Sequence, residues 1–471
     1  MNKLTKLLKN SGLFAISTFG SKILSFLMVP VYSYVLSTAE FGTADIYMTV
    51  LNLLVPIVSL SIFDAIFRYA INNTKENSVE YFETGITFSF IASAVFIILG
   101  VIFTFVFKQS IVNNVVLIAT VIFQVFLSAL QQFAKAVNRV SAFSVSAILY
   151  TLSYLLGNIL FLVVFRFGIT GYLVSYMLAG VISVSYLCLA ILPQEFKGIR
   201  FTFTLKRLKE MLGYCVPLIP NAVLLWIITA SNRFFLLHYC GVESNGIYAV
   251  ANKIPLVLSL FTSVFFQAWQ ISAIDETKEK NNDFSARIIN GLVSMSAIGS
   301  SAILLLSKFV VDNFFNEQYA TASEYIPFLL LGVVFQCFAS FYGTIYIAYK
   351  KTTAVMTTSA VAAIISVIGN VVLMPKYGVQ AACFTTMISF FVMWIIRMVH
   401  TRKIYHVRVN LPLLIVSCLL ICIQAVLRIT VASELLQILC SFATVAIVLF
   451  FNRELFSQLL KKRKGEANEN N

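Results

Sequence analysis

Stretches of about twenty apolar residues, the length a helix needs to cross a bilayer, recur along this chain from one end to the other. A segment in hydrocarbon must satisfy its backbone polar groups internally, so the choice lies between a bundle of helices and a closed barrel. The runs are roughly twice the length of a barrel strand and lack two-residue alternation. The fold class is therefore all-α, a polytopic membrane protein. Composition bears this out, with 59% of the 471 residues hydrophobic and 11% charged.

The N-terminal Lys3, Lys6 and Lys9 are charges a signal peptide would carry, but the apolar stretch Gly12–Val35 is too long for an h-region and reads as an uncleaved first span. Further spans are expected over Asp45–Ala70, Phe82–Phe107, Val112–Ala134, Ala142–Phe165, Ile169–Leu192 and Met211–Leu237. A second series follows over Asn245–Ala273, Ala286–Ser307, Ser323–Tyr349, Thr353–Met374, Val379–Val399, Leu411–Leu427 and Ala432–Phe451, giving fourteen in all. Cytoplasmic loops concentrate Lys and Arg. With the N-terminus in the cytoplasm, only Lys108, Arg166, Lys308, Lys376 and Arg428 fall in outer loops, so both termini are placed inside. The net charge of +14 then records loops and tails such as Lys197–Lys209 and Lys461–Lys464 rather than a nucleic-acid partner.

The chain also repeats itself. Lys351-Thr-Thr-Ala354, fifteen residues before Gly369-Asn370, then Lys376-Tyr-Gly-Val379, restates Arg139-Val-Ser-Ala142, fifteen before Gly157-Asn158, then Arg166-Phe-Gly-Ile169. Glu40-Phe-Gly42, opening the second span, corresponds to Glu243-Ser-Asn-Gly246, opening the eighth. Six helices separate the copies, an even number, so the repeat is parallel, and transporter folds often pack such halves about a central site. The expected organisation is an N-lobe over residues 1–195, a C-lobe over 196–405, and two added helices with a basic tail over 406–471.

Charge inside the spans is the functional signal, because a cation costs at least about 2.5–3.5 kcal/mol there and is kept for a use. Lys22 lies about eleven residues from either end of its helix, roughly 15 Å, too deep for easy snorkelling. Lys253 is some eight residues below the outer edge, at about 1.5 Å per residue, and Arg233 is within a turn or two of an outer end. Lys22 and Lys253 are read as facing a cavity that holds an anion, whereas for Arg233 snorkelling to the outer surface competes evenly with that role. Asp64 and Arg68 are four apart on one helix face, where they can pair; a structural role ranks ahead of ion coupling. Gln267 and Gln270 beside Trp269 suit sugar hydroxyls, and suit interhelical hydrogen bonding equally, as do Gln131 and Gln132 beside Lys135. Arg397, near the inner end of its span, reads as an interfacial anchor.

Gly20-Ser-Lys22 through Pro30-Val-Tyr32, Glu40-Phe-Gly42, Asn232-Arg233-Phe-Phe before a short outer loop, and Gly246-Ile-Tyr248 leading to Asn252-Lys253 together resemble the polysaccharide-repeat, or Wzx-type, flippases of the multidrug/oligosaccharidyl-lipid/polysaccharide exporter superfamily. The resemblance covers essentially the whole chain. It implies two six-helix lobes around a cavity, a bacterial inner (plasma) membrane location, and transfer of undecaprenyl-pyrophosphate-linked oligosaccharide to the outer leaflet for capsule or a similar polymer. Partners so implied are the lipid-linked oligosaccharide, the bilayer, and a polysaccharide polymerase or export machinery. Members carry an acidic residue before the arginine; here Asn232 stands there and leaves Arg233 without an adjacent counter-charge.

No enzyme, metal site or cofactor is expected. The three histidines, His238, His400 and His406, lie at helix ends, and the eight cysteines include no CxxC. No GxxxxGK[ST] loop is present. A cation antiporter would want carboxylates in the cavity, and Asp64 is the one acid that reads as well inside a span. A glycan polymerase would want a sizeable outer loop, and the longest here, Lys308–Ala322, is short. Peptidoglycan-precursor flipping suits the same cations and stays as the alternative cargo.

Overall fold

The computed structural model describes residues 20, 23–71, 73–106, 110–195, 203–262, 282–349, 351–405, 407–430 and 433–451. Among them all regular structure is helical. Among the described residues eleven helices are long and apolar enough to cross a membrane, and one of these, Thr353–Thr401, is of double length. The first and eighth expected spans run into residues outside the described set. The all-α polytopic class expected from the apolar runs is the class observed. The chain forms two compact units, Met1–Ala249 and Val250–Asn471.

The first unit begins with α1 (Ile23–Val35), α2 (Thr38–Val58) and α3 (Ile62–Ala70). A capping box opens α2: the Glu40 amide donates to Ser37 Oγ at 3.2 Å, and the Ser37 amide donates back to Glu40 Oε2 at 3.0 Å. The expected single span Asp45–Ala70 is broken between α2 and α3. Leu60 and Ser61 take φ values of 46° and 52°, left-handed conformations that side chains disfavour, four residues after Pro56. Next come α4 (Lys75–Val106), α5 (Ile111–Ala136), α6 (Val140–Asn158) with a π-turn over Ile159–Val164, and α7 (Gly168–Glu195). Then follow α8 (Leu205–Cys215), α9 (Ile219–Ala230), α10 (Asn232–Tyr239) and α11 (Val242–Lys253), the last crossing into the second unit. The inner core joins Ile62 and Ile66 of α3 to Leu130 and Phe133 of α5 and Met211 of α8. Thus the helix that the repeat counts as seventh lies within the first unit, its first half joining this core.

The second unit contains α12 (Asn282–Phe314), α13 (Ala322–Ala348), α14 (Thr352–Thr401), α15 (Leu411–Thr430) and α16 (Glu434–Phe451). Helix α13 is its centre, with 83% of its most apolar stretch buried. Trp394 stacks on Phe335 at 5.6 Å between ring centroids. Arg397 is not the interfacial anchor expected. It is 4% exposed and donates to Thr358 Oγ1, Ser359 Oγ and Ala339 O, each at 3.0 Å. Gly343 makes room for it, since a Cβ there would stand 2.8 Å from Arg397 Nη1. The two C-terminal helices are tied in by amides: Gln424 Nε2 donates to Ser441 Oγ at 2.9 Å and Ser301 O at 3.3 Å, and Gln437 Nε2 donates to Gln424 O at 3.3 Å.

The repeat seen in the sequence has matching geometry in the two units. Gly157 and Gly369 each sit against a hydroxyl residue of the following crossing, Ser175 and Thr385, at 3.1 and 2.6 Å from where a Cβ would be. Asn158 and Asn370 beside them are fully buried; Asn158 Nδ2 donates to Tyr32 Oη at 3.1 Å, and Asn370 Oδ1 accepts from Thr385 Oγ1 at 2.7 Å. Gly168 and Gly378, which end the repeated Phe-Gly and Tyr-Gly turns, both have positive φ, 53° and 54°. At Gly378 ψ is −132°, a combination open to glycine, and it divides the long α14 into the two expected crossings. Gly378→Ala should therefore cost about 1–3 kcal/mol, read as a lower thermal unfolding midpoint of purified protein. An unchanged midpoint would mean the turn relaxes without strain.

Candidate functional site at the α2, α10 and α11 junction

The two helix starts that the repeat pairs, Glu40-Phe-Gly42 and Glu243-Ser-Asn-Gly246, touch each other within the first unit. A Cβ on Gly42 would strike Val242 O and come 2.8 Å from Gly246 N, and one on Gly246 would strike Thr38 O. This is backbone on backbone, an approach that small residues permit between membrane helices. The fully buried Asn245 fastens it, its Nδ2 donating to Gly42 O at 2.8 Å.

One turn below Gly42 on α2, Asp45 accepts a hydrogen bond from Arg233 Nε of α10 and forms an ion pair with it; both residues are 8% exposed. Arg233 Nη1 also donates to Thr229 O of α9 at 3.0 Å, and the guanidinium lies 5.5 Å from the Tyr248 ring of α11. Asn232 Nδ2 donates to Tyr248 Oη at 3.2 Å, and Trp226 Nε1 reaches Thr49 O of α2 at 3.2 Å. Four helices thus meet on one buried charge pair. Beyond it lies a column of phenols in the first unit: Tyr172 packs edge-on against Tyr32 and Tyr154, and Tyr154 against Tyr176, at 5.4–5.9 Å between centroids.

The other expected site residues are dispersed. Lys22, Gln267 and Gln270 lie outside the described residues. Lys253 is half-buried at the C-terminal end of α11. Asp64 and Arg68 share α3, but no ion pair joins them; Arg68 is exposed, while Asp64 accepts from Gln132 Nε2 at 3.5 Å, and Lys135 Nζ donates to Gln132 Oε1 at 3.3 Å. The amide bridges the two charges. Gln131 Nε2 donates to Ser146 Oγ at 3.2 Å, the interhelical use of that amide.

Sequence reasoning missed Asp45. Asp64 is not the one acid inside a span, because Asp45 and Glu83, at 8% and 7% exposure, are buried in α2 and α4. Both sit where an apolar run begins, and packing by neighbouring helices covers them. The available signal was spacing: Asp45 follows Gly42 by three residues and so shares the face that meets the repeat partner.

The comparisons with known proteins agree with this architecture. A family model described as "Polysaccharide biosynthesis protein" matches residues 7–270, more than half of the chain. The chain belongs to that family. Its fold is shared with lipid II flippase MurJ in an inward closed conformation, at a TM-score of 0.73 and 15% identity, covering 94% of this chain and 99% of that one. An outward-facing multidrug resistance transporter of the MATE family, in the MOP superfamily, aligns at a TM-score of 0.60 and 12% identity over 84% of this chain and 95% of that one. An uncharacterized membrane protein of Methanocaldococcus jannaschii is 22% identical over 438 residues, 85% of this chain and 84% of its own length. One of Haemophilus influenzae is 24% identical over 258 residues, 54% of this chain; the match spans 62% of that relative's length.

Removing one partner of a buried pair strands the other charge, so Asp45→Asn and Arg233→Gln should each cost about 3–5 kcal/mol. The double variant should lose clearly less than the sum, which a double-mutant cycle on unfolding midpoints measures. Strict additivity would show that the pair does not hold the junction.

Proposed function

We propose that this protein moves an undecaprenyl-pyrophosphate-linked oligosaccharide from the inner to the outer leaflet of the bacterial inner membrane by alternating access, for capsule or another surface polymer. The observation that supports it best is the junction itself. In the proposed topology both termini are cytoplasmic, so α2 and α11 start at the outer face and the Gly42–Gly246 contact is an outer closure. Backbone contact, one amide and one ion pair are few enough bonds to break and remake in a transport cycle.

Arg233 has two roles in this reading. Closed, its charge is balanced by Asp45. When α2 parts from α10, the pyrophosphate replaces Asp45 as counter-anion, helped by Lys22 and Lys253, while Gln267 and Gln270 meet the sugars. The cation is thus balanced in both states, which matters because an unpaired charge in hydrocarbon is costly. The lobes over 1–195 and 196–405 supply the moving halves. A peptidoglycan-precursor cargo is the second reading, favoured by the likeness to the lipid II flippase fold. Cation exchange is less well supported, since Asp45 is neutralised by Arg233.

Glutamine at Lys22, Arg233 or Lys253 should leave the protein inserted and abolish surface polymer, whereas Asp45→Asn should keep substrate capture and slow net export at least several-fold. Vesicles carrying purified protein and either lipid-linked oligosaccharide or lipid II distinguish the cargoes. Normal export by all three cation variants would overturn the anion-capture reading, and transport of lipid II alone would establish the second cargo.

A further inference from the structure

A polar cavity of about 430 Å³ lies in the first unit where α4 and α8 begin, away from the Asp45–Arg233 junction. Its charged lining residues are Glu80 of α4 and Lys206, Arg207 and Glu210 of α8, two of each sign, so the lining is neutral as a whole. Arg207 is engaged: it pairs with Glu80, donates to Asn77 Oδ1 at 3.1 Å and lies 4.6 Å from the centre of the Tyr81 ring. Tyr81 Oη donates to Glu210 Oε2 at 3.0 Å. The exposed Lys206 side chain makes no hydrogen bond or ion pair, and Thr204, beside the cavity, makes no side-chain cap on α8. Lys206 and Glu210 are four apart on one helix face, roughly 5–6 Å between Cβ atoms, a spacing that suits a pair. No ion pair joins them, and both line the cavity. An open ammonium and a half-open carboxylate at one neutral cavity suit a ligand that carries both charges.

We propose that this cavity binds the head of an ethanolamine phospholipid, its phosphate accepting from Lys206 Nζ and the Thr204 hydroxyl and its ammonium donating to Glu210 Oε1, the oxygen that Tyr81 leaves open. The place fits a lipid. Helices α4 and α8 run from here into apolar spans, so the cavity opens at the level of the headgroups. Tyr69 stacks on Tyr81 at 5.0 Å between centroids and meets Tyr214 edge-on at 6.2 Å, an aromatic cluster of the kind enriched at that level. Leu205, next to Lys206, is 70% exposed and offers apolar surface to the acyl chains. A choline head would put methyl groups where Glu210 needs a donor, and a glycerol head would bring no cation. The lipid is a resident of the first unit, and this reading depends neither on the cargo nor on which leaflet the cavity faces.

The test is lipid retention by the full-length protein, purified in detergent and titrated with phosphatidylethanolamine, phosphatidylcholine or phosphatidylglycerol of matched chains, with bound lipid counted by native mass spectrometry. Phosphatidylethanolamine should half-saturate the protein at a concentration about fivefold below either of the others, the size of one added hydrogen bond. Lys206→Gln, at a side chain with no partner to lose, should weaken its retention about fivefold. Glu210→Gln leaves the lining one charge positive and should shift the preference to phosphatidylglycerol. Lys209→Gln, on the same helix but outside the cavity, should change nothing. Equal retention of the three lipids, a preference of the unaltered protein for the glycerol head, or a Lys209→Gln effect as large as that of Lys206→Gln would overturn the proposal. So would displacement of the lipid by an equal concentration of soluble glycerophosphoethanolamine, which would assign the cavity to a soluble zwitterion.

Discussion

A carboxylate and a guanidinium in contact among buried helices set the conditions for everything around them. Neither Asp45 nor Arg233 could be buried alone at tolerable cost, and together they tie α2, α9 and α10 by hydrogen bonds, with the Tyr248 ring of α11 5.5 Å from the guanidinium. The glycines at 42 and 246 bring the backbones of α2 and α11 into contact about one turn from the pair. The capping box at Ser37 and Glu40 starts α2 at the register that puts Gly42 and Asp45 on one face.

The residues the chain repeats are those whose geometry repeats. Gly157, Asn158 and Gly168 on one side, and Gly369, Asn370 and Gly378 on the other, were legible because close approach and positive φ leave few residue choices, so the letters themselves carry the geometry. Charge was less legible. Arg233 stood out as a cation in an apolar run, yet its partner comes from 188 positions away and sits at the edge of another run, where hydropathy gives no warning. Arg397 misled for the opposite reason: its acceptors are hydroxyls and carbonyls, invisible to a search for opposite charge. The pairing of Asp64 with Arg68 followed helix spacing correctly but omitted α5, which supplies an amide at hydrogen-bond distance.

The second unit achieves burial by other means. Its central helix is largely buried, and the buried Arg397 and Gln424 there meet uncharged acceptors, hydroxyls and carbonyls. A guanidinium held by several fixed oxygens exchanges poorly with an arriving anion. The charge pair of the first unit, by contrast, has a single anionic partner that a phosphate can imitate.

The break at Leu60 and Ser61 gives α2 the mechanics of a lever. The arm from Val58 to Asp45 is about 20 Å long at 1.5 Å per residue, so a swing of about 10° at the break moves Asp45 by roughly 3.4 Å. Added to a hydrogen-bond separation, a shift of that size takes Asp45 out of reach of Arg233, and the leverage is set by where the chain places its two left-handed residues.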